Sequence, residues 1–316
     1  MKKVILILSL ILSCAGCIHE GPHSGCDCCN CENEPLNLIF TYDGTTADFD
    51  RLVAGDIELY LYDSEGKKIE KRDIPYKYIK GGKPYSLEQQ YAGNTYLVAW
   101  ALPESESTNK IPITFLDEEE YSTVRFIMNV WPMQQSQRQS RKQSQEQSPI
   151  YSGSTQELFL ERLTFAQNPL EEKTIEVDVK KILCTITVTI EEADGFRTQY
   201  PGEIRMNIDG ASHSYKVAED SQSGDRITIE DEFYYVENRN EYLSKNKVMP
   251  ASVDSKTGLE DNIIVTLWED GTARLMVDTG VKARKGTQID VIIRPTKMEA
   301  IITVDSWEVR KVLVAL

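Results

Sequence analysis

Residues 180–192 read KKILCTITVTIEE, and this stretch decides the class of fold. Apolar side chains occupy every second position, at Cys184, Ile186, Val188 and Ile190. Threonines fill the positions between them, so one face is apolar and the other polar. A period of two is typical of a half-buried β-strand, since successive side chains point to opposite faces. The stretch therefore predicts a sheet strand in which Cys184 is a small buried hydrophobe.

The same alternation recurs along the chain on both sides of this strand. It is clear in residues 36–42, 56–63, 94–102, 123–131 and 262–279. The third of these segments is apolar on both faces, which predicts a central strand. Asp270-Gly271 lies between two alternating runs in the last segment and predicts a tight hairpin. Many short strands and few helical patterns predict an all-β protein built of β-sandwiches.

The length of 316 residues is typical of about two domains. We predict an N-terminal sandwich at residues 35–170 and a C-terminal sandwich at residues 171–316. Residues 133–148 break the alternation, because they are mostly Gln and Ser with a few basic residues. Such a segment has no apolar face to bury, so it predicts a disordered, solvated insertion in the first sandwich.

Residues 1–16 have the pattern of an export signal. Two lysines precede a short apolar run at residues 4–12, which is too short for the roughly 20 residues that span a bilayer. The run ends in Cys14-Ala15-Gly16-Cys17, which resembles a bacterial lipobox. The small residues before Cys17 favour it as the acylated cysteine, with Cys14 as the alternative. An ordinary secretory signal with incidental cysteines is the third interpretation.

A cysteine-rich tether is predicted at residues 17–34. Its four clustered cysteines are Cys26, Cys28, Cys29 and Cys31. Thiolates so close together could form local or intermolecular disulfides after export, or bind a soft metal. The spacing lacks the second half of a usual zinc site, which makes metal the weaker option. A spacer without any ligand is the remaining interpretation.

Composition and motifs argue against nucleic-acid binding and catalysis. The chain has 50 acidic and 35 basic residues, a formal net charge of −15. Nucleic-acid binding requires a basic surface, and an acidic protein gains no electrostatic attraction to anionic lipid. His213 lies in a polar stretch and is a poor candidate for a catalytic base. We therefore expect no enzyme activity and no cofactor apart from a covalent lipid on Cys17.

Two further groups of residues suggest binding to other molecules. Several tyrosines could stack on sugar rings, although tyrosine is also an ordinary sheet residue: Tyr60, Tyr62, Tyr76, Tyr78 and Tyr85. The chain ends in an apolar strand that could pair with another subunit through Trp307, Val309, Val312, Val314 and Leu316. The alternative for this strand is that it completes its own sandwich.

The order of these segments resembles the FimB/Mfa2 family of fimbrial anchor lipoproteins of Bacteroides-type bacteria. The matching segments are a lipobox and tether, LNLIFTYD (36–43), DIELYLYDSEGKKI (56–69), YAGNTYLVAWA (91–101), PIYSGSTQELFL (149–160), KKILCTITVTIEE (180–192) and IITVDSWEV (301–309). The cysteine cluster and the Gln/Ser insertion depart from the family pattern. The matching order covers nearly all of the chain after the signal.

The resemblance implies two tandem transthyretin-like Greek-key β-sandwiches and a lipid anchor in the outer membrane, exposed at the cell surface. It implies a role at the base of a fimbria, where the protein attaches the shaft to the cell and limits its length. The expected partners are shaft or accessory subunits. Related proteins serve as other fimbrial subunits, and a surface glycan-binding lipoprotein is the alternative function.

Overall fold

The prediction of an all-β protein is confirmed. A computed structural model describes residues 35–87, 91, 93–103, 113–128, 150–152, 155–166, 173–253 and 257–313. The helices in these residues are short: α1 (Thr46–Leu52), α2 (Tyr76–Ile79) and α3 (Ala193–Gln199), with 3-10 turns at Glu237–Arg239 and Pro295–Lys297. In the same ranges, no helix has the length and apolar character needed to cross a membrane.

The strands form four sheets. The first eleven are β1 (Leu36–Thr41), β2 (Ile57–Tyr62), β3 (Lys68–Ile74), β4 (Tyr85–Leu87), β5 (Asn94–Ala101), β6 (Ile113–Leu116), β7 (Arg125–Met128), β8 (Ile150–Ser152), β9 (Phe159–Ala166), β10 (Lys173–Asp178) and β11 (Lys180–Lys181). The others are β12 (Cys184–Ile190), β13 (Ile204–Lys216), β14 (Ser221–Asp231), β15 (Tyr234–Val236), β16 (Glu241–Val248), β17 (Ile264–Glu269), β18 (Thr272–Asp278), β19 (Gln288–Arg294), β20 (Glu299–Val304) and β21 (Trp307–Leu313).

The first sandwich packs a three-stranded sheet, in the order β10-β1-β4, on a five-stranded sheet, in the order β11-β9-β5-β2-β3. One apolar cluster fills the space between them. It includes the fully buried side chains of Leu38, Leu59, Leu97 and Val177. Strand β5 lies between β9 and β2, as the apolar residues on both of its faces predict.

The second sandwich packs a six-stranded sheet, in the order β15-β16-β12-β19-β20-β21, on a seven-stranded sheet. The second sheet runs β18-β17-β13-β14-β8, with β7 also on β13 and β6 on β7. The predicted strand of the opening stretch is β12, which lies between β16 and β19. Its Cys184 is fully buried, and this burial raises the pKa of the thiol to about 11. The predicted hairpin joins β17 to β18, with Asp270 and Gly271 both at positive φ.

The predicted domain boundary at residue 170/171 does not separate the strands of the two sandwiches. Strands β10 and β11 follow that position but pair with β1 and β9 of the first sandwich. Strands β7 and β8 precede it but pair with β13 and β14 of the second. Each sandwich is thus completed by strands from the other half of the chain. The predicted insertion at 133–148 lies outside the described residues.

Strand β2 of the five-stranded sheet is buried on both faces, which its sequence pattern did not indicate. The sugar stacking considered for Tyr60 and Tyr62 requires exposed rings, but these side chains are only 2% and 0% exposed. The hairpin β6–β7 covers them: the rings of Tyr60 and Phe115 lie 4.6 Å apart, and those of Trp100 and Phe126 lie 5.4 Å apart. These tilted and edge-on pairs are favourable aromatic geometries. They join the outer face of the first sandwich to the core of the second.

Arg162 of β9 makes a polar link between the same two units. Its Nη1 donates hydrogen bonds to the backbone oxygens of Val217 (3.1 Å) and Ala218 (2.6 Å). Its Nη2 lies 3.2 Å from Oδ2 of Asp220, which also pairs with Lys285 at 2.6 Å. The planar guanidinium can satisfy several acceptors at once, so one side chain holds the turn between β13 and β14 against the first sandwich.

Candidate functional site

The predicted attachment residues precede the described part of the chain. Cys14 and Cys17, the lipidation candidates, lie outside it, and so does the cluster Cys26, Cys28, Cys29 and Cys31. Within residues 35–313, as far as they are described, no group of three or more His, Cys, Asp or Glu side chains could hold a metal ion. The structure nevertheless defines the point at which the predicted tether joins the folded body, because Pro35 leads directly into β1.

The described chain enters the first sandwich at one end, here named the tether end because the predicted tether precedes Pro35. Leu36, the first residue of β1, pairs with Leu87 on one side and with Lys173 on the other. The Nζ of Lys173 donates a hydrogen bond of 2.7 Å to the backbone oxygen of Ala166. Ala166 in turn pairs with Asn94 of the facing sheet. Both sheets therefore end together where the tether arrives.

The chain leaves for the second sandwich at the opposite end, here named the far end. Phe159 pairs with Ala101 and with Lys181, so the end of β5, the start of β9 and strand β11 lie together. The ring of Tyr42, which follows β1, lies 5.7 Å from that of Phe159. The chain passes between the sandwiches after β5, before β9 and after β11. All three passages leave from the far end, one strand length away from the tether.

Asp178 joins several groups at the far end. Its Oδ1 accepts hydrogen bonds from the Thr41 hydroxyl (3.1 Å) and from the Gly44 N–H (3.0 Å). Its Oδ2 lies 2.6 Å from Nζ of Lys180, which also contacts Asp43 at 3.0 Å. Burial would raise the pKa of this carboxyl, but these hydrogen bonds outweigh burial and hold the pKa below the ordinary 3.8. This group, here named the Asp178 junction, consists of Asp178, Thr41, Gly44 and Lys180. It fixes the end of β1 to the end of β10.

The C-terminal strand was predicted either to pair with another subunit or to complete its own sandwich. Strand β21 pairs antiparallel with β20, so it does complete its own six-stranded sheet. Among the described strands it is also the outermost of that sheet, with β20 on one side. Val314 and Leu316, which we included in the predicted pairing strand, lie outside the described residues. The two alternatives are therefore compatible, since an edge strand has one side paired and one side open.

Several other sheet edges are less suited to adding a strand. Strand β3 forms an edge of the five-stranded sheet, and its Lys71, Arg72 and Asp73 are all exposed. Charged edge strands are a common protection against unwanted pairing. Strands β4, β8 and β15 have three residues each, and β11 has two. At seven residues, β21 offers a longer edge than these four.

An aromatic cleft of about 180 Å³ lies near the other edge of the six-stranded sheet. Its lining includes Phe196 of α3 and Tyr242 of β16, with the ring centroids 6.3 Å apart. Arg197 also lines it, and its Nη1 lies 3.5 Å from the Tyr242 hydroxyl. Tyr235 of β15 lies beside it, with its ring 5.4 Å from that of Tyr242, and is 46% exposed. Sequence reasoning missed this group, because its members come from three separate segments.

The tyrosines that we did select from the sequence are distributed differently. Tyr60 and Tyr62 are buried and cannot contact a sugar, which corrects that expectation. Tyr76 donates its hydroxyl to Asp50 at 2.8 Å, and Tyr85 belongs to the short strand β4. Of the five, Tyr78 is the one with a largely exposed side chain, at 56%.

His213 has a structural partner. Its Nε2 lies 3.1 Å from the backbone oxygen of Met128, at the end of β7. The ring thus links β13 to the hairpin that covers the first sandwich. The contact gives this histidine a structural role.

Two β-sandwiches that exchange strands define a class of two-domain all-β proteins. Residues 25–312 match the family of fimbrillin-A associated anchor proteins Mfa1 and Mfa2, so the chain belongs to that family. No curated protein matches the chain.

Solved structures share the fold at low sequence identity. The fimbrial anchor protein Mfa2 from Porphyromonas gingivalis is 9% identical, with a TM-score of 0.52 over 88% of this chain and 100% of that one. A candidate polysaccharide-binding protein from Bacteroides thetaiotaomicron is 14% identical, with a TM-score of 0.59 over 88% and 98%. A candidate adhesin from Bacteroides ovatus is 12% identical, with a TM-score of 0.57 over 88% and 95%. At these identities the likeness shows the fold alone.

The Asp178 junction leads to a prediction about pH. Replacing Asp178 by Asn removes the pairing with Lys180 and lowers the free energy of unfolding at neutral pH by about 1–2 kcal/mol. The folded pKa of Asp178 is depressed, so its contribution is complete above 3.8 and is lost as the pH falls through the lower folded value. Urea unfolding of both proteins across this range should therefore show their difference shrinking as the solution becomes acidic.

Asp73→Asn is the matched control, because Asp73 is 74% exposed and its nearest cation, Lys71, is 3.8 Å away. We expect its effect to stay within about 0.5 kcal/mol. A deficit in Asp178→Asn that is the same at every pH would show that the carboxylate charge contributes nothing.

Proposed function

We propose that this protein is the outer-membrane-anchored component of a fimbria that attaches the shaft to the cell and limits shaft length. A lipid on Cys17, with Cys14 as the alternative, holds the protein in the membrane at the cell surface. The folded body then binds a shaft or accessory subunit. Membership of a family of fimbrial anchor proteins supports the proposal. The likeness to a fimbrial anchor fold agrees with it.

The observation that carries the anchoring role is the placement of the two ends of the first sandwich. The predicted tether enters at Leu36, while every described passage to the second sandwich leaves from the far end near Phe159. A body attached in this way holds its second sandwich away from the lipid by the length of the first. This arrangement leaves the second sandwich free to meet a partner beyond the membrane.

The open side of β21 is our candidate for the contact with the shaft. An extended segment of a shaft subunit can add to a free sheet edge through main-chain hydrogen bonds, whose strength does not depend on the side chains involved. The strand has seven residues and is supported by β20 along its length. The predicted pairing residues Trp307, Val309 and Val312 lie on it.

The anchoring role is tested by replacing Cys17 with Ala. We expect fibres of normal composition in the culture medium, because the protein no longer carries the lipid that holds it. Shedding is measured by immunoblot of medium and washed cells for the shaft subunit. Mass spectrometry of the mature N-terminus establishes that the lipid is absent.

Cys14→Ala is the matched control, because it changes the neighbouring cysteine and leaves Cys17 in place. Fibres should stay with these cells. If only the Cys14 variant sheds fibres, the lipid site moves to Cys14 and the anchoring role stands. Fibres that remain cell-bound in a protein shown to lack lipid would contradict the role itself.

The shaft contact is tested by placing a photo-cross-linking amino acid at Lys311 of β21, which pairs with Ile301 of β20. Irradiation of fimbriated cells should give a covalent adduct with a shaft or accessory subunit, identified by mass spectrometry. The same amino acid at the exposed Arg72, on the charged edge strand β3, is the control. Adducts at Arg72 and none at Lys311 would place the shaft contact on β3 and contradict the proposed contact at β21.

Glycan binding is the second candidate function, and the aromatic cleft beside Tyr235 is the observation that favours it. Exposed aromatic rings beside a guanidinium can stack on a sugar ring and hydrogen-bond to its hydroxyls. Replacing Tyr235 by Ala should then reduce retardation of the full chain in polysaccharide-containing gels by several-fold. Tyr78→Ala, which removes an equally exposed tyrosine from α2, should not. Equal mobility of all three proteins in every polysaccharide would exclude this function.

A further inference from the structure

We infer that the parallel pair β1–β10 is a mechanical clamp, which lets the first sandwich carry tension between the tether and the second sandwich. The inference rests on the proposed anchoring function, because only an anchored chain is pulled from its tether. The function it adds is resistance to force. It is a property of the folded chain, so it can be measured without fibres or cells.

The direction of pulling follows from the chain path. Tension from the tether enters the folded body at Leu36, the first residue of β1. Strand β10 continues at its other end, after Asp178, through β11 into β12 of the second sandwich. The two strands are parallel, with Leu36 opposite Lys173 and Thr41 opposite Asp178. Force therefore pulls β1 toward the tether end and β10 toward the far end.

Opposed pulling along parallel neighbours is shear. All hydrogen bonds between the strands are loaded together and must break in one event, rather than one after another as when a hairpin is opened from its free end. The register of β1 and β10 continues over six residue pairs without a bulge. Parallel ladders have evenly spaced bonds, so the load is shared along the whole strand.

The position of β1 in the sandwich adds to this resistance. It is the central strand of its sheet, and β4 pairs with its first three residues on the other side. Leu36, Leu38 and Phe40 are at most 1% exposed and point into the core. Sliding β1 toward the tether would draw these three side chains past their packing partners, which close-packed interiors resist.

A polar lock closes the far end of the pair. The hydroxyl of Thr41 lies 2.9 Å from Oε1 of Glu176 and 3.1 Å from Oδ1 of Asp178. Its single proton is donated to one of these two carboxylates at a time, and either bond joins the last residue of β1 to β10. The next turn is tied to the same strand, because the Gly44 N–H donates to Asp178 at 3.0 Å. Any slip of β1 along β10 must break these bonds to charged acceptors, which are among the stronger hydrogen bonds in proteins.

The test is single-molecule force measurement on the mature chain. One handle is attached ahead of the tether, and the other is attached through an azide-bearing amino acid at Leu259, which is 67% exposed in the second sandwich. The quantity recorded is the lifetime of the folded state at constant force, which reports the unfolding rate. Thr41→Val removes the hydroxyl while it keeps the shape, and we expect it to shorten this lifetime about tenfold.

A second pulling axis separates the clamp from ordinary stability. Glu65 lies in the turn between β2 and β3, at the tether end but outside β1, and its side chain is 75% exposed. With the first handle moved to Glu65, the load reaches the sandwich without shearing β1 against β10. Thr41→Val should then leave the lifetime unchanged within about twofold. Thr41→Ser, which restores the hydroxyl, should recover most of the lifetime on the tether axis.

Thr189→Val is the matched control, because it makes the same substitution on β12 of the second sandwich. It should not shorten the tether-axis lifetime. An equal effect of Thr41→Val on both axes would show that the residue contributes only general stability, and no effect on the tether axis would remove the lock. If the unsubstituted chain has the same folded-state lifetime on the tether axis as on the Glu65 axis, the clamp is overturned.

These outcomes are independent of the anchoring test. Fibre release from Cys17→Ala depends on the lipid and on the partner, whereas the lifetimes depend only on the folded chain. A chain that anchors fibres but shows no shear resistance would refute the clamp alone. A chain that resists shear but does not anchor fibres would refute the proposed function and leave the mechanical property in place.

Discussion

The structure depends on the pairing of β1 with β10. Two parallel neighbours cannot be joined by a tight turn, so the chain must make a long excursion before it returns. Here the hydroxyl of Thr41 meets Glu176 across 135 positions of sequence. The chain between these two residues forms most of the first sandwich and three strands of the second, β6, β7 and β8. Once β10 is in place, the sheet that begins with β1 is complete, and the chain passes through β11 to the second sandwich.

A consequence of this path is that the sandwiches are coupled. The five-stranded sheet uses one face for its own core and the other for the hairpin β6–β7, which belongs to the second sandwich by hydrogen bonding. Arg162 adds a polar contact at the turn after β13. Packing on both sides makes the first sandwich a poor candidate for independent motion. Under the proposed anchoring function, such coupling would pass load from the tether to the second sandwich without a flexible joint.

The proposed roles lie in separate parts of this framework. Attachment precedes Pro35, resistance to force lies in the first sandwich, and partner contact is proposed for the open edge of β21. The aromatic cleft at Tyr242 lies near the opposite edge of that same sheet, so shaft contact and glycan contact would not compete for one surface.

The sequence alone determined the local features. Alternation identified β12 and the central strand β5, and Asp270-Gly271 identified a hairpin, because these signals arise between residues close in the chain. It also placed Cys184 in a core. Only the tertiary structure decided which strands meet. Strands β10 and β7 have ordinary strand patterns, and such a pattern does not identify a pairing partner that is hundreds of ångströms away along the extended chain. For the same reason Tyr60 looked like a surface residue until β6–β7 covered it, and the aromatic cleft was invisible until α3, β15 and β16 came together. Burial depends on what folds back over a residue, and a local pattern contains no record of that.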